Sequence, residues 1–200
     1  MPRWIRTETP PDGLRYVPDF LSIEEEAALL PLVESLPFAE VRMKGVAAKR
    51  TTAHFGWSYA YESWSITPAE PIPEFLRPLR DRAARESGVD GAEFGEVLVT
   101  RYPAGAGIGW HRDAPGFGEP VAGVSLLAPC VMRLRQRRAK EGGGVVYALP
   151  IAPRSLYALS GPARWSWQHT IPAVKSLRYS ITFRVVRAAR GVRGALDTAP

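Results

Sequence analysis

Arg178-Tyr179-Ser180-Ile181-Thr182-Phe183-Arg184-Val185 alternates polar and apolar side chains without a break. Successive residues of a strand point to opposite faces. One face therefore carries Arg178, Ser180, Thr182 and Arg184, and the other Tyr179, Ile181, Phe183 and Val185. On an ordinary surface strand the polar face meets water. The opposite assignment turns the apolar face outward against helices and leaves two arginines and two hydroxyls inside a barrel. A buried guanidinium requires an anionic partner, and its planar fork suits a carboxylate. The second arrangement is a pocket for a small polyanion such as a dicarboxylate. Thr100 and Tyr102, on one face of an earlier strand, complete its polar lining.

Outward from this stretch the texture is that of short strands. From residue 95 the expected strands are Val97–Tyr102, Val121–Leu126, Val131–Arg135, Val145–Leu149, Leu156–Leu159, Trp165–Ile171 and Leu177–Val186, punctuated by Gly and Pro clusters. Two helices precede them. Ser22-Ile23-Glu24-Glu25 reads as a capping box, opening a helix with Ile23, Ala27, Leu30 and Val33 on one face and a break or stagger at Pro31. The second helix runs from about Pro73 to Glu86, with Gly88 as its stop. The fold class expected is α+β, mainly β: a jelly roll braced by N-terminal helices. A single domain spans 13–188, after an extension at 1–12 and before a flexible basic tail at 189–200.

Composition excludes several classes. At 200 residues and 46% hydrophobic, the chain buries a core without disulfides or metal. One cysteine, Cys130, excludes a disulfide framework and a disulfide-linked partner, and fits a reducing, cytoplasmic setting. No apolar run reaches membrane-spanning length, and the start shows no secretory h-region, so no membrane partner is expected. The net charge of +6 is unevenly spread. Residues 1–130 hold 13 Lys/Arg against 18 Asp/Glu, whereas residues 131–200 hold 13 against only Glu141 and Asp197. Such asymmetry points to an anionic partner, with nucleic acid foremost, met by a monomer.

His111-Arg112-Asp113 places an imidazole and a carboxylate at i and i+2, with Cα atoms roughly 6–7 Å apart if extended. His169 follows in Trp165-Ser166-Trp167-Gln168-His169, where a continuous strand puts it on the face of both tryptophans. Two histidines and one carboxylate match the facial triad of a non-haem Fe(II) site with open positions. Zinc accepts the same ligands, and a histidine beside two tryptophans also fits a satisfied core residue. The arginine strand nine residues after His169 favours the metal reading.

Together these stretches resemble the AlkB family of Fe(II)/2-oxoglutarate-dependent dioxygenases. The resemblance rests on Arg101-Tyr102-Pro103-Ala104-Gly105 leading to His111-Arg112-Asp113, and on Pro120 through Leu126. It continues with Arg154-Ser155-Leu156, Leu159-Ser160-Gly161, Trp167 through Pro172, and Arg178 through Arg184. Gly13 through Leu21 resembles the family's lead-in to its first helix, and Arg50 through Gly56 its substrate-lid region. The resemblance covers residues 13–186. It implies a double-stranded β-helix, with Fe(II) as metal and 2-oxoglutarate and O2 as cosubstrates. It implies iron on His111, Asp113 and His169, which are thereby the catalytic residues. It also implies 2-oxoglutarate on Arg178, helped by Tyr102, with Ser180, Arg184 and Thr100 in its surroundings. Thr100 and Ser180 stand where some members carry Asn, which implies a modified hydrogen-bond pattern. The implied reaction oxidises a substrate C–H while 2-oxoglutarate becomes succinate and CO2; an N-methyl group leaves as formaldehyde.

A methylated base must leave its stack to be reached, and aromatics commonly grip it. Trp57, Tyr59 and Tyr61 alternate and share a face if extended, with Arg42, Lys44, Lys49 and Arg50 just upstream for phosphates. A buried aromatic face of an outer sheet fits the same pattern. Arg133, Arg135, Arg137, Arg138 and Lys140 read as a backbone-binding strip or as a solvated edge strand. His54 reads as structural or stacking, since the triad is complete without it. The expected function is oxidative demethylation of alkylated bases in DNA or RNA. The alternatives are an AlkB-like enzyme acting on tRNA bases or a protein side chain, and a non-enzymatic metal-binding jelly roll.

Overall fold

The computed structural model describes residues 3–43, 46–60, 65–137 and 143–186. Two largely antiparallel sheets face one another. The major sheet runs β2 (Leu14–Val17), β12 (Leu156–Leu159), β9 (Phe117–Leu127), β14 (Arg178–Val186), β7 (Glu96–Tyr102), β4 (Val46–Phe55), β3 (Ala39–Met43). The minor sheet runs β1 (Arg3–Arg6), β11 (Gly143–Ile151), β10 (Cys130–Arg137), β13 (Gln168–Ile171), β8 (Ile108–His111). A separate ribbon pairs β5 (Trp57–Ala60) with β6 (Ser65–Pro68). From residue 117 the chain passes from major to minor sheet and back: β9, then β10 and β11, then β12, β13 and β14. That winding is the double-stranded β-helix, or jelly roll, and it brings β14, the last described strand, into the middle of the major sheet.

Two apolar layers follow from strand alternation. The outward face of the major sheet, with Val97, Val99, Ile181 and Phe183, packs against α1 (Ile23–Glu34) and α2 (Arg77–Ser87) through Val33, Leu79 and Ala83. Between the sheets lies a second layer, with Met132, Leu134, Leu149, Tyr157 and Trp167. Tyr179, Ile181 and Phe183 thus face the helices, while Arg178, Ser180, Thr182 and Arg184 face the interior. The register repeats this arrangement along β14 and β7, pairing Arg178 with Tyr102, Ser180 with Thr100, Thr182 with Leu98 and Arg184 with Glu96.

Three expectations are revised. The helix from Ile23 is continuous through Pro31, since only its last turn follows and the Pro31 carbonyl still accepts from Ser35 N–H. Its buried positions are Glu26 and Val33, with Ile23 67% exposed. Glu26 sets this rotation, because its carboxylate accepts from Leu127 N–H at 2.8 Å and from Arg154 at 3.3 Å. Trp165–Ile171 is not one strand: α3 (Gly161–Trp165) precedes β13, so His169 shares no strand face with Trp165. Finally, residues 3–6 are built into the minor sheet as a parallel edge strand on β11. Trp4 lies beside Gly144, where a Cβ would come within 2.9 Å of its ring.

Candidate active site

The interior faces of the two sheets enclose a cavity of about 400 Å³. On the minor sheet, His111 at the end of β8 is paired with His169 of β13, and their ring centroids lie 4.2 Å apart. Asp113 sits in the turn after β8, with Oδ2 3.7 Å from His169 Nε2. The Gly109 carbonyl accepts from His111 Nδ1–H at 2.8 Å, which fixes that ring's tautomer and leaves its Nε2 as a lone-pair donor. Burial, then the neighbouring His111, hold His169 down to a pKa of about 3, so its imidazole is neutral near pH 7. Burial likewise lowers His111. Burial works against the Asp113 carboxylate, but Arg184, then His169 and His111, outweigh it and keep its pKa well below the carboxylate range. Two neutral imidazoles and one carboxylate form a donor set that suits a divalent first-row metal ion.

The two arginines of β14 divide their roles. Arg178 is fully buried. Its Nη2 donates to Ser125 Oγ at 3.0 Å, while Nε and Nη1 have no acceptor among the described residues. Its guanidinium lies 5.0 Å from the centroid of the Tyr102 ring, which lines the cavity. Unpaired buried donors on a cation are costly, and a carboxylate matches them in charge and in geometry. Arg184 differs, because the chain already supplies its anions. It donates to Asp113 Oδ1 through Nε at 2.8 Å, with Nη2 2.7 Å away, and to Glu96 Oε2 through Nη1 at 2.8 Å. Its charge is balanced by protein carboxylates, whereas the sequence reading left it to a cosubstrate.

Glu96 escaped the sequence reading. The signal was present, because the face holding Thr100 and Tyr102 continues through Leu98 to Glu96. Arg164 escaped as well, since it precedes the expected strand Trp165–Ile171 and no helix was expected there. Buried in α3, it donates to the carbonyls of Asp113, Ala114, Phe117 and Gly118 and so pins the turn that carries Asp113.

The remaining site residues fall in different places. Thr100, Ser180 and Arg50 line the cavity, whereas Trp57 does not; it lies against Gly95. The backbone of Tyr59 pairs with Ile66 in the ribbon. Tyr61, Lys44, Arg138, Lys140 and the tail lie outside the described residues. Arg133 and Arg135 are on the outer face of the minor sheet, away from the cavity. The guanidinium of Arg135 stands 4.3 Å from the Trp110 ring and 5.3 Å from that of Trp4, beside a second, shallower cavity bordered by Arg112 and Arg137.

Comparison with known proteins bears on this chamber. Residues 13–184 match the family model described as the 2OG-Fe(II) oxygenase superfamily. An "Alkylated DNA repair protein ALKBH8 homolog" of Arabidopsis thaliana is 27% identical over 208 residues, covering 88% of this chain and 58% of that protein. The human "DNA oxidative demethylase ALKBH2" is 35% identical over 144 residues, covering 66% of this chain and 53% of that protein. The chain thus spans little more than half the length of these relatives. Among solved structures, "The structure of OsALKBH1" superposes with a TM-score of 0.69 at 15% identity, over 90% of this chain and 99% of that one, a likeness of fold.

Proposed function

The chain belongs to the 2OG-Fe(II) oxygenase superfamily, and within it to the AlkB family, and from that premise we propose that it oxidatively demethylates alkylated bases of DNA or RNA. The family's cofactors are Fe(II) and 2-oxoglutarate, with O2 as cosubstrate. When bound, they supply an oxidant strong enough for a substrate C–H bond, with succinate and CO2 as co-products and formaldehyde from an N-methyl group.

The protein's own task is to bind, orient and exclude water. In this reading His111, Asp113 and His169 hold the iron. Arg184 occupies Oδ1 of Asp113 and leaves Oδ2 turned toward His169. Arg178 receives the distal carboxylate of 2-oxoglutarate beside Tyr102, and Ser180 and Thr100 offer hydroxyls along the same wall. The observation that carries the reading is the fully buried Arg178 with two unpaired guanidinium nitrogens. Nucleic acid is supported as the substrate by the arginines of β10 on the outer face and by what the two relatives' names describe.

The test is a turnover screen with Fe(II) and 2-oxoglutarate across 1-methyladenine and 3-methylcytosine oligonucleotides, in DNA and RNA, together with purified tRNA. Matched release of succinate and formaldehyde from a methylated oligonucleotide is the expected result. Turnover confined to tRNA without formaldehyde assigns a tRNA hydroxylase instead. No substrate-dependent succinate from any of them overturns the proposal.

A further inference from the structure

Beyond His111, Asp113, His169 and Arg184, the chamber holds a second imidazole–carboxylate pair. His54 on β4 is paired in register with Leu98 on β7, and Glu96 lies two residues earlier on that strand's inward face. Glu96 is therefore the diagonal cross-strand neighbour of His54. His54 Nδ1 is 3.5 Å from Glu96 Oε1. Both atoms are buried, and among the described residues neither makes a hydrogen bond, their own 3.5 Å contact included. The other oxygen of Glu96 is held by Arg184 at 2.8 Å. A carboxylate only accepts, so the arrangement is favourable when His54 Nδ1 carries the hydrogen. Nε2 of the same ring is then an acceptor. His54 borders the cavity and its side chain is one-third exposed, in contrast to the buried carboxylate behind it.

Glu96 turns its two oxygens to His54 and Arg184, so the other acceptors on this wall are the hydroxyls of Thr52 and Thr100, which also donate, and the imidazole of His54. Arg42, Arg50 and Arg184, which line the same cavity, only donate. A nucleobase carrying an exocyclic amine, as adenine and cytosine do, brings N–H donors that those arginines cannot satisfy. We propose that His54, held in the Nδ1–H tautomer by Glu96, is the specificity residue of the chamber and accepts an N–H from the substrate base through Nε2. The inference rests on the nucleobase reading above and extends it to which base edge is read. Glu96 acts as a positioning residue: it ties the recognising ring to Arg184, and through Arg184 to Asp113.

Two measurements test it. Long-range ¹H–¹⁵N correlation spectra of the histidine rings, recorded on the metal-free protein, are expected to show His54 protonated at Nδ1 and unprotonated at Nε2. In Glu96→Gln the single amide oxygen cannot accept from both Arg184 and His54, and the fixed tautomer is expected to be lost. An Nε2–H tautomer in the unaltered protein overturns the proposal whatever the substrate. The second measurement compares wild type with His54→Phe and His54→Gln. Turnover is followed on the oligonucleotide that wild type demethylates. Loss of one hydrogen bond in His54→Phe is expected to lower kcat/KM for the oligonucleotide by about two- to tenfold. His54→Gln, which keeps an acceptor, is expected to recover part of the loss. Equal kcat/KM in wild type and His54→Phe overturns the proposal. A wild type inactive on every nucleic acid instead overturns the broader reading on which it stands.

Discussion

Arg178 and Arg184 look equivalent in the sequence, six residues apart on one face of one strand. Their surroundings separate them, because Arg184 is met by Asp113 and Glu96 whereas among the described residues Arg178 has a single hydrogen-bond acceptor, Ser125 Oγ. Alternation shows which face a side chain takes but not which partner the opposite strand delivers, and Glu96 was therefore missed. A specific consequence attaches to Arg178. Lysine keeps the charge but offers a point donor in place of a fork. Arg178→Lys is expected to raise KM for 2-oxoglutarate by about tenfold or more, the cost of one to two charge-assisted hydrogen bonds, with a smaller change in kcat. Steady-state succinate formation measures both, and an unchanged KM places the cosubstrate elsewhere. Gly123 supports the same wall differently. A Cβ there would lie 2.4 Å from the Tyr157 ring. Gly123→Ala is expected to cost about 1–3 kcal/mol by overpacking, read from urea denaturation.

Among the elements, most strands after residue 95 were legible because they alternate or are continuously apolar between Gly and Pro breaks. β2, β3 and β8 are four or five residues long, too short to stand out, although Ala39–Met43 does alternate. β4 mixes small and polar residues along its length, since its inner face lines a polar chamber. The segment before His169 misled for a physical reason. Pro162 and Ala163 allow a single helical turn, and that turn is needed to aim Arg164 at four carbonyls of the Asp113 turn. Arg164→Met keeps the stem and removes those donors, leaving buried carbonyls unpaired. Stability is expected to fall by about 2–4 kcal/mol, and affinity for a divalent metal to fall by about tenfold as the Asp113 turn loosens. Thermal denaturation and Mn(II) titration check the two effects separately. A variant that loses stability but binds metal as wild type does shows that the turn holds without Arg164.

At the scale of the molecule, the charge asymmetry acquires a location. Among the described residues after residue 130, Arg178 and Arg184 turn inward, whereas Arg133, Arg135 and Arg137 project from β10 on the outer face of the minor sheet. Of these two sets, the second is the one placed to meet phosphate. Charge reversal at Arg133 and Arg135 together is expected to weaken oligonucleotide binding about tenfold near physiological salt. It is also expected to flatten the dependence of log Kd on log salt by about two contacts' worth. Fluorescence anisotropy across a salt series measures this, and an unaltered slope assigns the strip to protein solubility instead. The sequence revealed the fold class and which strand face turns inward. It did not reveal the parallel edge strand β1, because a four-residue strand at the chain start is recognisable only through the β11 edge that receives it.

The claim on which the rest depends is that the polar face of β14, opposite His111, Asp113 and His169, is the site of metal and 2-oxoglutarate. Calorimetric titration of 2-oxoglutarate into protein loaded with Mn(II), a redox-inert stand-in for Fe(II), tests it without any nucleic acid. One equivalent is expected to bind to wild type, with binding reduced at least tenfold in Arg178→Met and abolished in His169→Ala, which lacks the metal. Wild-type affinity in Arg178→Met, or tight binding that survives in His169→Ala, contradicts it.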